Sequence, residues 1–111
     1  MEIQEQRQGA VIILKPMGAL IEPDSRLFKE HATETLTRSM GRVIVDASAI
    51  PFVDSSGVES LVDLTEQLAQ SGRALKLCAA SETLREVLDL VGWSHAFEYF
   101  GDVNAGVRSF L

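Results

Sequence analysis

Phe52-Val53-Asp54-Ser55-Ser56-Gly57 follows the apolar run Val43-Ile44-Val45 and precedes a segment with helical spacing. It therefore reads as the turn from a buried strand into a helix. Downstream, apolar residues recur at Val58, Leu61, Val62, Leu64 and Leu68, and Ser71-Gly72 supplies a stop, so the spacing predicts a helix from Ser56 to Gln70. Upstream, Arg42 to Asp46 is too short for a helix and β-branched in its middle, which suits a central strand covered on both faces. Ala47 to Pro51 is then a connector.

Within the turn, Ser56-Gly57-Val58-Glu59 matches a capping box. Ser56 would accept the Glu59 N–H while Glu59 reaches back to the Ser56 N–H. That assignment leaves Ser55 just before the cap, its hydroxyl outward, with Asp54 beside it. The same residues also suit a polar turn with no further role. A functional reading is modification of Ser55, because a phosphate there would add about two negative charges near the positive end of a helix dipole. With Asp54 and Glu59 adjacent, the corner would become strongly acidic and oppose a partner surface that accepts the neutral serine.

Working outward, Ile3 to Arg7 alternates weakly, and Gln8-Gly9 turns it into the strand starting at Ala10-Val11, which Pro16 and Gly18 should end. After Pro23, Asp24 is the expected N-cap of a helix with Leu27, Phe28, His31, Ala32 and Leu36 near one face, stopping near Gly41. Arg73 to Ala80 reads as another buried strand. Ser81 caps a helix with Leu84, Val87, Leu88 and Val91 at core spacing, closed by Gly92. Phe97 to Phe100 suits a last strand, and Asp102 a cap for a helix through Val103, Val107 and Phe110. The order predicts a single α/β domain over residues 1–111, with a mixed, mostly parallel sheet, an N-terminal antiparallel hairpin and helices packed against it. Right-handed crossovers should bring the turn near Pro23 and Asp24 to the same edge as Asp54.

The chain has 111 residues, of which 46% are hydrophobic and 23% charged, enough for one core without disulfides. Ten basic against sixteen acidic residues give a net charge of -6. Such a surface repels nucleic acid and anionic membrane, so neither is an expected partner. The N-terminal residues are polar where a signal peptide needs an apolar core, and no apolar run has membrane-spanning length. A cytoplasmic protein is expected. The lone cysteine, Cys78, sits in an apolar run and reads as a buried structural thiol.

Serine-hydrolase chemistry needs a base beside the serine and usually a Gly-x-Ser-x-Gly elbow, which is absent. His31 and His95 read as packing or surface residues, and neither they nor Cys78 form a metal-binding pattern. Asp46 ends a strand at the functional edge but lacks the neighbouring acids that a magnesium-dependent phosphoacceptor needs, so it is expected to hydrogen-bond the connector. Trp93 reads as a core plug. No catalytic residue, cofactor or metal is expected.

Asp46-x-Ser48-x-Ile50-x-Phe52-Val53-Asp54-Ser55-Ser56-Gly57-Val58 resembles the signature of bacterial anti-sigma factor antagonists, the stand-alone members of the STAS domain family. The stretch from Ser81 through Gly92 and Trp93 to Phe100 is similar to the family's last strand-to-helix unit. The resemblance implies a STAS fold and a non-enzymatic partner switch. The unphosphorylated domain would bind an anti-sigma factor that is also a serine kinase, releasing a sigma factor. Phosphorylation of the first serine, here Ser55, would dissociate the pair, and a PP2C-type phosphatase would reset it. ATP and magnesium would belong to the kinase. Ser55, Ser56, Glu59, Ser60, Asp63, Pro23 and Asp24 are the expected partner-facing residues, on a monomer or weak dimer. The alternative is a non-switching STAS subunit or scaffold of a larger signalling or lipid-transport assembly. Glu59 stands where many relatives carry glycine, and Gly18-Ala19-Leu20 is followed by Ile21-Glu22-Pro23 rather than by the family's usual acid.

Overall fold

The computed structural model describes residues 1–111. Strands β1 (Glu2–Gln8) and β2 (Val11–Met17) form an antiparallel hairpin, and β3 (Val43–Asp46), β4 (Leu75–Cys78) and β5 (Phe97–Phe100) add to it in parallel, in the order β1-β2-β3-β4-β5. Helices α1 (Asp24–Arg38), α2 (Ser55–Ala69) and α3 (Glu82–Leu90) are the crossovers between successive strands, and α4 (Val103–Arg108) follows β5. Because the strand order never reverses, right-handed crossovers place α1, α2 and α3 on one face of the sheet.

Side-chain alternation divides the core accordingly. Ile12, Leu14, Val43, Val45, Leu75, Leu77 and Phe97 meet Phe28, Ala32, Leu61, Leu64, Leu84 and Leu88 in one cluster of 19 buried residues. Val11, Ile44 and Cys78 point to the other face, where Val103 and Val107 of the short α4 pack on them together with Phe110, which lies just past that helix rather than within it as the spacing predicts. That helix comes close through Gly106, where an added Cβ would lie 2.6 Å from Cys78 Sγ. Each fully buried leucine contributes about 1.5–3 kcal/mol of transfer free energy, so the three-helix face carries most of the stabilisation.

Most local signals end where expected. Ser81 Oγ accepts the Leu84 N–H at 3.1 Å, and the Asp102 carboxylate accepts the Ala105 N–H at 2.7 Å. Gly41, Gly72 and Gly92 follow α1, α2 and α3 with positive φ. Four expectations differ. Pro16 lies inside β2 opposite Ile3 rather than ending it; β1 and β3 flank β2, and the strand tolerates the missing donor near its end. Asp24 is the first helical residue of α1 and not its cap; Pro23 holds that position without a side-chain bond. Leu27, at 50% exposure, faces solvent because α1 presents only one stripe to the sheet, and Val91, at 51%, because α3 ends at Leu90 and Val91 is its cap, off the helical stripe of Leu84 and Leu88. The Ser56 capping box is replaced by another cap, described below.

Candidate functional site

The connector from β3 does not lead straight into α2. Ile50 is buried, and the chain then makes a parallel bridge between Leu20 and Val53. Leu20 N–H donates to Phe52 O at 3.1 Å, and Asp54 N–H donates to Leu20 O at 3.2 Å. This bridge joins the loop after β2 to the loop after β3, so the Pro23 turn and the Asp54 corner share one edge, as the crossover argument predicts.

Asp54 is the N-cap. Its Oδ1 accepts the Gly57 N–H at 2.9 Å and the Ser56 hydroxyl at 2.8 Å, while Oδ2 accepts the Glu22 N–H at 3.2 Å. The Gly57 bond above all, with the Ser56 hydroxyl next, holds the carboxyl below its ordinary range. Helix α2 thus begins at Ser55, two residues earlier than a Ser56 cap would allow. Gly57 is required at this place, since an added Cβ would collide with the carbonyl oxygen of Leu20. The tertiary bridge selects Asp54 over Ser56 because it fixes the backbone at Asp54 and seats Gly57 against Leu20.

Correcting the cap also separates the two serines. The Ser56 hydroxyl has one hydrogen, which goes to Asp54, so its contact with Ser25 Oγ must be one in which Ser25 donates. Ser60 Oγ lies 2.9 Å from Ser56 O and 3.0 Å from Ser25 O, tying α1 to α2 beneath the corner. Ser60 is accordingly buried, at 5% exposure, and does not face a partner as expected; its hydroxyl is consumed by the helix seam. Ser55 occupies the first helical position, is exposed and makes no side-chain hydrogen bond.

Glu59 is exposed on the first turn of α2, and Asp63 one turn further is half-buried and paired with Lys29 at 3.0 Å. Glu22 pairs with Arg26 at 2.6 Å, and Asp24 lies 3.4 Å from the Met1 amine. Neither Asp54 nor Glu59 has a cationic partner. The groove beside the corner, lined by Arg26, Lys29, Ser56 and Glu59 among others, holds only about 150 Å³, short of the roughly 300 Å³ at which small-molecule pockets begin. Its form suits a macromolecular surface. The largest cleft, about 600 Å³ between α3 and β5, shares no residue with it.

The remaining candidates lie elsewhere. Asp46 Oδ1 accepts the Ser48 N–H at 3.0 Å, bonding the connector. His31 lies 3.2 Å from Glu5, and His95 stacks on Trp93, which packs against the core. Burial pushes the Cys78 thiol up to about 11, so it stays protonated at neutral pH. No helix is long and apolar enough to cross a membrane. The exposed ring of Phe52 beside the corner is a feature that the sequence pattern does not single out.

Solved structures share this arrangement. A Thermotoga maritima protein described as a candidate anti-sigma factor antagonist superposes with a TM-score of 0.86 at 18% identity, over 96% of this chain and 92% of that one. The anti-sigma factor antagonist SpoIIAA in its unphosphorylated form gives 0.76 at 18% identity, over 98% and 96%. The Bacillus cell fate determinant SpoIIAA in its phosphorylated form gives 0.73 at 16%, over 99% and 100%. At these identities the likeness is one of fold. The STAS domain family model matches residues 2–106, almost the full length described, and by that match the chain belongs to the STAS domain family.

Proposed function

We propose that this protein is a phosphorylation-controlled anti-sigma factor antagonist with Ser55 as its switch. The observation that carries the reading is the inequality of the two serines. Ser55 offers an exposed, unengaged hydroxyl at the first position of α2, whereas Ser56 is half-buried and bonded to Asp54 and Ser25. A kinase can reach the first without disturbing the fold; modifying the second would break the helix seam. Family membership and neighbours solved in both unphosphorylated and phosphorylated forms support the same reading.

In the unmodified state the corner binds an anti-sigma factor that is also a serine kinase, and a sigma factor is released. Ser55, the accessible edge of Ser56, Glu59, Asp63, Pro23 and Asp24 form the contact. Transfer of a phosphoryl group to Ser55 Oγ adds about two negative charges and the bulk of three oxygens to a corner where Asp54 and Glu59 are already unpaired, and a partner surface fitted to the neutral hydroxyl must desolvate that dianion or lose its contact. A PP2C-type phosphatase restores the hydroxyl. The protein itself acts by binding, as a non-enzymatic and cytoplasmic component.

The test is phosphosite mass spectrometry on protein from its own cells, with binding of Ser55→Ala and Ser55→Asp to the cognate kinase. Phosphate on Ser55, retained binding by the alanine variant and weak binding by the aspartate variant are expected. Phosphate on Ser56 alone would overturn the assignment. Phosphate on neither serine would favour a non-switching STAS subunit of a larger assembly.

A further inference from the structure

We infer that the corner holds its partner through an apolar anchor, Phe52 with Ile21, framed by the carboxylates of Asp54 and Glu59, and that the partner is a protein surface offering an apolar socket edged with arginine or lysine. The inference rests on the reading of this corner as the partner-binding site. In the Leu20–Val53 bridge, Leu20 is fully buried and Val53 packs against the core. Alternation then sends Ala19, Ile21, Phe52 and Asp54 to the outer side. Phe52 is 51% exposed and Ile21 36%, so an aromatic ring and a branched aliphatic side chain lie diagonally on one outward strip.

The strip is rigid. Phe52 O and Asp54 N–H are both bonded to Leu20, and Val53 and Ile50 anchor the segment from below. A preorganised aromatic with few rotatable bonds loses little entropy on docking and is a common binding hot spot. Leu90 and Met40 are more exposed, but each lies just past or at the end of a helix, at the opposite end of the sheet from Ser55. Charge defines the rim. Glu22 and Asp63 have their own cations, while Asp54 and Glu59 have none, so a complementary surface supplies positive charge there. Phosphate on Ser55 would compete for those same cations from within the rim.

The experiment measures binding of the kinase that modifies Ser55 to the wild type and to Phe52→Ala, Phe52→Leu, Glu59→Gln and Leu90→Ala, by titration calorimetry. Phe52→Ala is expected to weaken binding about 30-fold with an unchanged melting temperature, Phe52→Leu to recover part of it, and Leu90→Ala to stay within about twofold. Added salt should weaken the wild type more than Glu59→Gln. Phe52→Ala binding within about twofold of wild type, while Ser55→Asp binds weakly, would overturn the anchor and leave the switch standing. In parallel, p-benzoylphenylalanine replaces Phe52 in living cells for photo-cross-linking. Absence of any adduct would overturn the anchor. An adduct with a protein other than a kinase, whose affinity for the purified chain falls in Phe52→Ala, would support the anchor and overturn the switch.

Discussion

Helices α2 and α3 both follow a parallel strand and both begin with a side-chain cap, Asp54 in one and Ser81 in the other. Counting from the caps, Ser55 corresponds to Glu82, Ser56 to Thr83 and Gly57 to Leu84. In α3 the first position carries a permanent acid, and the third is a leucine with no exposure, buried in the core. In α2 the first position is an uncharged, exposed serine, and the third is a glycine pressed against Leu20 O. A negative charge at a helix start is favourable. One helix has that charge built in; under the proposed switch the other would receive it as phosphate. The connector to α3 is only Ala79-Ala80, whereas 47–53 leads to Asp54 and brings its own bridge to Leu20. The longer connector ties the corner to the loop after β2.

The two third positions should fail in opposite senses. Leu84→Ala opens a cavity and should cost about 3 kcal/mol, and Gly57→Ala forces the Leu20 loop away and should cost a comparable amount, both read by chemical denaturation. If Gly57→Ala were neutral, the close approach that distinguishes α2 would be absent in solution.

The caps differ in charge. Ser81→Ala should cost about 1 kcal/mol, and Asp54→Ala more, because three donors lose their acceptor. Asp54 has a folded pKa below its ordinary value of 3.8, so the stability it contributes is present above that value and is lost as pH falls through the folded pKa. A denaturation series from neutral pH downward should show Asp54→Asn losing less stability than wild type below pH 3.8, with Ser81→Ala parallel to wild type.

The smallest effect is at the first position. Ser55→Glu makes α2 resemble α3 and should change folding stability by no more than about 0.5–1 kcal/mol, in the stabilising direction if the dipole outweighs Asp54. Thermal melts would show it. A large destabilisation would mean that charge at Ser55 acts on the fold itself.

Much of this molecule is legible in its sequence. The strand and helix order, the caps at Ser81 and Asp102, the glycine stops and the shared edge of the Pro23 and Asp54 loops all follow from local pattern and chain topology. The outward hydroxyl of Ser55 also follows from the pattern, although through a cap placed at Ser56. Local pattern alone cannot choose among caps, because Asp54 and Ser56 both suit the role within one turn. Nor can it tell that Ser60, polar and on a helix, is buried.

What the sequence by itself determined is therefore the succession of elements and the chemistry gathered at one edge, since periodicity and capping act between residues a few positions apart. The tertiary structure alone decided that Asp54 is the cap, that Ser56 and Ser60 bond the α1–α2 seam, and that Phe52 is turned outward. Each depends on Leu20 or Ser25, more than thirty residues away in the chain, and a hydrogen bond at that separation exists only after the sheet and its crossovers have formed.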